Sequence, residues 1–435
     1  MMFDAKYEAM SRDELAQLQI ERLQATLRRV CRNVAFYRTL FNERGIDVEE
    51  VRDLDALQQL PFTTRADLQA SYPYGMFAVP LRDIVRLHAT SGTTGRPLVV
   101  GYTRNDLDHW SGLVARQLAG VGVDEHDFVQ IAFSYSLFTG GLGFHYGAER
   151  LGASVIPASN AANSADQIAI MRDYKTTVLA GAPSSALVMA TALEELGLHP
   201  EELQLRVGLF GAEPWSDDLR ERIEERLHIK AFDTYGVSEI MGPGVAAECE
   251  QRSGLHINED HFIAEVIDPI TLAPRQPGEE GELVFTTITK EGFPVIRYRT
   301  GDLASLVEGA CPCGRTNLRM SRVKGRTDDL VIAQGVKFFP SQLREVIMQQ
   351  QWISPHIAVI IDRKEGSDTI EVRAAVSEQA PFFDEVSKVS ELHDNAVRAL
   401  RMSLGLSVQL TFVEIATLRR EVGSKGMRLS DRREL

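Results

Sequence analysis

Three of the chain's four cysteines and one histidine are spaced for metal chemistry: Cys249 and His256 stand in CEQRSGLH, and Cys311 and Cys313 flank a proline in CPCG. A Cys-Pro-Cys-Gly knuckle is tight enough to turn both sulfurs toward one ion, and three thiolates with one imidazole complete a tetrahedral shell of the structural zinc type. With no ligand position left open, such a site stabilises the fold and does no catalysis. Glu248 and His261 are neighbouring donors that keep other ligand sets open. An iron–sulfur cluster is the less suited alternative, since there is a histidine and no four-cysteine set. The remaining cysteine, Cys31, is expected to be a buried thiol.

A second constellation is His88–Pro97, HATSGTTGRP, lying between two strand-like runs. Backbone N–H groups freed at Gly92 and Gly95, with the hydroxyls of Ser91, Thr93 and Thr94, can wrap phosphate oxygens, and Arg96 can add a charge. It is not a Walker A loop, which would place a lysine before Ser or Thr and open a helix. A polar hairpin turn is the alternative for any Gly/Ser/Thr cluster.

These groups must be carried by a scaffold, and the chain is long enough for two to four domains. It has 435 residues, 47 Lys and Arg against 61 Asp and Glu, and a net charge of -14, with no basic block, so nucleic acid is an unsuitable partner. No apolar run approaches the roughly 20 residues of a membrane span, and the opening MMFDAKYEAM has no signal-peptide core. A cytoplasmic protein is expected, its cysteines reduced or metal-bound.

From Ser11 to about Leu40 the apolar residues Ala16, Ile20, Leu23, Leu27, Val30 and Val34 fall on one helical face, with Ser11 and Glu14 as a capping box. From residue 84 onward, IVRLHAT, PLVVGYT, FVQIAF, ASVIPA, TVLAG, RVGLFG and KAFDTYG alternate with helical stretches near 105–121, 164–173, 184–196 and 216–227. That alternation predicts a mainly parallel sheet covered by helices. Residues 262–309 are strand-rich. A smaller α/β unit follows, with helices over 341–350 and near 384–403 and strands at IAVIID, IEVRAAV and VQLTFVE. The expected architecture is therefore α/β, a large N-terminal domain of mixed and parallel sheets over 1–327 and a small C-terminal α/β domain over 328–435.

Several motifs in order give this chain a family resemblance: TSGTTG at Thr90–Gly95, GLFGAEP at 208–214, DTYGVSE at 233–239, YRTGD at 298–302, GRTDD at 325–329 and Lys425 near the C-terminus. The sequence resembles the adenylate-forming superfamily of acyl-CoA synthetases, and LFTGGLGFHYGAERLG at 137–152 is similar to the stretch that marks the phenylacetate-CoA ligases. The resemblance implies an AMP-forming acid–thiol ligase with ATP, Mg2+ and coenzyme A, a mobile small domain and a homodimer. An aryl acid, phenylacetate or a close relative, would give an acyl-adenylate and pyrophosphate, and CoA would then expel AMP.

It also assigns roles. Ser91, Gly92, Thr93, Thr94 and Gly95 would hold the phosphates. Gly211, Ala212, Glu213 and Pro214 would wall the adenine, with Asp233, Thr234, Tyr235 and Gly236 beside it. Asp302 would accept from the ribose hydroxyls, Arg326 would lie near ribose and phosphates, and Glu239 would bind Mg2+. The acid slot would use Tyr135, Phe138, Gly140, Gly141, Tyr235, Gly236, Ile240 and Pro243, the glycines leaving room for a flat ring. Asp328 would be the hinge, Gly335 would line the pantetheine channel, and Lys425 would serve adenylation. Ser134 and Ser136 stand where the phenylacetate branch usually has glycine, which leaves the acid open. Two alternatives also remain: transfer of the acyl group to a carrier protein or cofactor, and a non-catalytic, zinc-stabilised nucleotide-binding protein.

Overall fold

The structure, a computed structural model, describes all residues except 91–96, 160–162, 328–330, 335, 351, 355, 365–366, 378–379, 381–385, 423–426 and 434–435. Ser91, Gly92, Thr93, Thr94, Gly95, Asp328, Gly335 and Lys425 thus lie outside the described residues. The chain divides into two compact units: Met1–Ser185 with Met189–Glu213 and Ile223–Lys324, and Ala186–Val188 with Pro214–Arg222 and Gly325–Leu435.

In the first unit a short helix, Ala5–Glu8, precedes the helix Arg12–Asn33, whose Ser11/Glu14 capping box is present. The helix does not run on to Leu40. Val34 is extended at φ -107 and ψ 111, and a second helix, Ala35–Glu43, starts behind it. The apolar period survives the break because Val30, Val34, Tyr37 and Phe41 are all buried in one core. Cys31, expected to be a buried thiol, is a free thiol half-buried against that core.

The main sheet of this unit is built from β3 (Phe128–Ile131), β4 (Ser154–Ile156), β5 (Val178–Gly181), β6 (Val207–Gly211), β7 (Lys230–Val237), β8 (Gly242–Glu248) and β9 (Leu255–Ile257), preceded by the hairpin β1 (Arg86–Ala89) and β2 (Val99–Tyr102). The sheet order is β4-β3-β5-β6-β7-β8-β9, parallel from β4 to β7 and antiparallel through β8 and β9. Strands buried on both faces should be continuously apolar, and β5 and β6 are buried throughout. A second, antiparallel run joins β10 (Phe262–Ile267), β11 (Gly281–Thr287) and β12 (Tyr298–Ala304). Beyond β9 the main sheet is extended by β13 (Leu306–Val307) and β14 (Arg319–Met320).

The covering helices lie at Arg104–Gly120, Ser164–Asp173, Pro183–Glu195 and Asp217–Leu227, where the sequence pattern places them. One helix, Thr139–Leu151, has no such signal, because its glycines are poor helix formers. Tertiary packing overrides that preference: a Cβ on Gly147 would lie 2.4 Å from Val114 Cγ1, so the glycine lets this helix and Arg104–Gly120 approach closely.

In the second unit the sheet order is Val408–Phe412, Ser367–Ala374, Ile357–Lys364, Met427–Asp431. The helices Pro340–Met348 and Val386–Leu404 contribute Leu343, Ile347, Ala396 and Leu400 to its core. The strand Met427–Asp431, parallel to Ile357–Lys364, was not expected, since MRLSD is too short and too polar to read as a strand.

Candidate active site

In an open parallel sheet, ligands bind outside the carboxyl ends of the strands, and the motif residues Gly211, Thr234 and Tyr235 lie at or near the ends of β6 and β7. β6 ends at Gly211 and pairs Phe210 with Asp233 and Gly211 with Thr234 of β7. A Cβ on Gly211 would lie 2.2 Å from Thr234 O, so only glycine permits this strand pairing. The next residue, Ala212, is exposed and held at φ 69, a left-handed conformation that costs a non-glycine residue energy. Glu213 accepts the Ser184 N–H at 2.7 Å, fixing the turn against the start of the helix Pro183–Glu195. Pro214 and Arg326 belong to the second unit.

On β7, Asp233 is buried. Its N–H donates to Glu248 Oε2 at 2.8 Å, and its Oδ2 accepts from Arg322 Nε at 3.1 Å. Thr234 Oγ1 donates to Gln117 Oε1 at 3.1 Å. The Tyr235 hydroxyl donates to Asp302 Oδ2 at 2.7 Å, and its ring stacks on Phe285 with centroids 6.0 Å apart. Asp302 comes from β12, so this bond joins the two sheets at the motif ends. Gly236 is exposed at a bulge between Tyr235 and Gly236, with a Cβ at this position only 1.9 Å from Gly242 O.

Glu239 is not the solvated glutamate that its type suggests, being 3% exposed. Its Oε1 accepts from Arg65 Nη1 at 3.0 Å and Tyr298 Oη at 3.4 Å. Arg65 Nη2 also reaches Thr90 Oγ1, at 3.5 Å, and thereby links the Glu239 turn to the residue that opens the glycine-and-hydroxyl loop. Beneath the turn lies Lys290, fully buried, its Nζ 2.8 Å from Ile240 O. Burial pulls its ammonium down to about 7, against the opposing charges of Asp106 and Glu239. Arg65, Lys290 and Arg322 carry no motif, and sequence reasoning missed them; Tyr298 opens the YRTGD motif but was given no role of its own. Only the Thr64/Asp67 capping box around Arg65 was readable, and it speaks of a helix start.

The acid-slot residues are brought together differently from the expectation. The half-buried Tyr135 has its hydroxyl 3.2 Å from His145 Nδ1, and burial with the charge of Glu149 holds that phenol above its ordinary range. His145 in turn lies 3.2 Å from Glu149. The glycines do not leave open space where their side chains would be. A Cβ on Gly140 would meet the Phe138 ring at 2.6 Å, and one on Gly141 would meet Ser134 O at 2.5 Å. Ile240 is fully buried in the core, and Pro243 O accepts from Trp110 Nε1 at 2.6 Å.

At the antiparallel edge of the main sheet, the ligand atoms of Cys249, His256, Cys311 and Cys313 all lie within 4.8 Å of one another. Cys249 Sγ is 3.8 Å from Cys311 Sγ, and Cys313 Sγ is 3.5 Å from His256 Nε2. Tetrahedral zinc with about 2.3 Å bonds to sulfur and about 2.0 Å to nitrogen gives edges of about 3.8 and 3.5 Å, so the residues fit that ion. Burial, with Arg315 and Arg319 beside it, pulls the His256 imidazolium down to about 4, which leaves the ring neutral and able to ligate. The other donors turn elsewhere: Glu248 to Asp233, and His261 to Asp260 at 3.2 Å and Thr289 at 2.7 Å.

The AMP-binding enzyme family matches residues 16–289, and the AMP-binding enzyme C-terminal domain family matches 335–433. The chain is 41% identical to the phenylacetate-coenzyme A ligase of Thermus thermophilus over 100% of both chains. It is 44% identical to that of Escherichia coli over 98% of this chain and 97% of that one. Among solved structures it is similar to 2-hydroxyisobutyryl-CoA ligase in the postadenylation state with R3-HIB-AMP, with a TM-score of 0.86 and 27% identity over 94% of this chain and 88% of that chain. The same ligase in the thioesterification state with 2-HIB-AMP and CoA gives a TM-score of 0.73 over 98% and 92%. Full-length identity at this level, with the family match over residues 16–289, means that the chain belongs to the phenylacetate-CoA ligase family of the AMP-binding enzymes.

Proposed function

We propose that this chain joins an aryl acid, with phenylacetate the first candidate, to coenzyme A at the expense of ATP through an acyl-adenylate. The observation that carries this reading is the linked set of Tyr235, Asp302, Glu239 and Gly211 at the carboxyl edge of the parallel sheet. Asp302 presents a carboxylate suited to the two hydroxyls of a ribose. The exposed turn at Ala212 and the rim at Gly236 flank it as the adenine wall, and Asp233 supplies an acceptor for the adenine amino group. Glu239 offers the hard oxygen that Mg2+ prefers beside a triphosphate, and the bound ion would neutralise phosphate charge. Arg65, now paired with Glu239, would offer its charge to the phosphates once that carboxylate held the ion. The family resemblance supports Asp328 as hinge, Gly335 at the CoA channel, a homodimer and a cytoplasmic setting, and among the described residues no helix is long and apolar enough to cross a membrane.

With phenylacetate, ATP, Mg2+ and CoA the protein is expected to form phenylacetyl-CoA, AMP and pyrophosphate, read by chromatography of the nucleotides and thioester. ADP with inorganic phosphate would refute the reading, because the chemistry would then be at the γ-phosphate. A panel of arylacetic, benzoic and indolic acids in the same assay ranks the substrates.

We propose further that Cys249, His256, Cys311 and Cys313 hold one structural zinc ion, supported by the match of their spacing to a tetrahedral shell. The ion would tie the turn after β8 and strand β9 to the knuckle between β13 and β14, joining segments far apart in sequence. Elemental analysis of protein purified without chelator is expected to give one zinc per chain. Cys311→Ser should lower the unfolding temperature more than it lowers turnover per folded molecule, and a metal-free, equally stable wild type would remove the site.

A further inference from the structure

The four-residue turn Ser238–Met241 between β7 and β8 has every carbonyl engaged from below by two side chains. Lys290 Nζ donates to Ile240 O at 2.8 Å and lies 3.4 Å from Glu239 O. The Tyr102 hydroxyl donates to Met241 O at 2.8 Å and lies 3.4 Å from Ser238 O. The two donors are themselves in contact, Nζ standing 4.5 Å from the centroid of the Tyr102 ring, and both residues are fully buried. Trp110 stacks on the other side of the system, its ring 5.0 Å from that of Tyr102.

Packing alone does not explain a lysine here. A methionine or leucine would fill the same space without desolvating an amine, and the side chain is held in place by its own anchorage. Asp106, itself fully buried, accepts the N–H groups of Glu291 at 2.7 Å and Gly292 at 2.9 Å, fixing the chain next to Lys290. The amine donates to carbonyls whether charged or neutral, so the arrangement does not depend on its protonation.

What the turn carries on its other side is the Glu239 carboxylate, with Arg65 and Tyr298 as partners. We infer that Lys290 and Tyr102 are positioning residues that clamp the Ser238–Met241 carbonyls and so preset the Glu239 carboxylate for its metal. The inference rests on the reading of Glu239 as the magnesium ligand. Tyr102 closes β2, the strand that leaves the glycine-and-hydroxyl loop, so the clamp also ties that loop's hairpin to the metal carboxylate. Groups that orient a metal ligand from behind are worth about 10–100-fold in metal affinity or activity when removed.

The test uses the full chain with Lys290→Met, Tyr102→Phe and, as reference, Glu239→Gln. Two quantities are read: hydrogen exchange of the amides in the Ser238–Met241 peptide without substrates, and the Mg2+ dependence of pyrophosphate release with phenylacetate and ATP. Lys290→Met is expected to speed exchange in that peptide and raise the Mg2+ concentration for half-maximal rate by about tenfold, with the KM for the acid unchanged. Tyr102→Phe should move both readouts the same way by less, and it decides the matter if Lys290→Met does not fold. Wild-type exchange and wild-type Mg2+ dependence in the folded variants would overturn the clamp. If Glu239→Gln alone leaves the Mg2+ dependence unchanged, it is the magnesium reading that falls, and the exchange data then judge the clamp by themselves.

Discussion

Replacing Lys425 by alanine is expected to slow acyl-adenylate formation by about a hundredfold or more, the loss that accompanies removal of one preorganised transition-state contact. In VGSKGMR the residue reads, on its own, as a solvated charge near a chain end. The family resemblance gives it another part: an ammonium that draws the acid's carboxylate toward the α-phosphate and offsets charge gathering on the phosphate oxygens. About a hundredfold corresponds to about 2.7 kcal/mol of barrier. If the small domain turns away before CoA attacks, thioester formation from supplied acyl-adenylate and CoA should stay near the wild-type rate. Pyrophosphate exchange reads the first half-reaction and thioester absorbance the second. Equal loss in both would mark damage to the fold, and no loss in either would return Lys425 to solvent.

Asp302→Ala should cost about as much, roughly a hundredfold in kcat/KM for ATP, since two charge-assisted hydrogen bonds to the ribose would each be worth about 1.5 kcal/mol or more. The structure sets a control beside it. Tyr235 donates to Asp302 Oδ2 and orients that carboxylate without itself accepting from a diol, so Tyr235→Phe should reduce kcat/KM far less while keeping the ring on Phe285. A dideoxyribose analogue of ATP makes the comparison specific. Wild type should discriminate strongly against it and Asp302→Ala should not, and equal discrimination by both would show that Asp302 does not read the ribose.

The described motif residues were legible where a strand end or turn dictates their types. Gly211 is glycine because Thr234 O leaves no room for a Cβ, and the knuckle Cys311–Cys313 shows two ligands within three residues. The parallel sheet was legible from runs such as Val178–Gly181 that are apolar throughout because both faces are covered. Residues whose purpose lies across the fold were not. Arg65 meets Glu239 and Lys290 meets Ile240 over long stretches of chain, and nothing local to either position announces it. The helix Thr139–Leu151 was hidden for a related reason: its glycines argue against a helix in isolation and are required once Val114 of the neighbouring helix is in place.

The crowding around Gly141 and Gly236 bears on how a lineage of such chains can change diet. At both positions the atom in the way is backbone, Ser134 O and Gly242 O, which cannot rotate aside as a side-chain tip can. Any single replacement there breaks strand or helix packing before it reshapes the space offered to an acid, and selection will discard it. On the proposed reading of the acid slot, innovation is left to the half-buried Tyr135 and Phe138, whose outer atoms can be exchanged without moving the backbone. Libraries meant to broaden the range of acids should therefore be concentrated on those two rings and leave the glycines untouched.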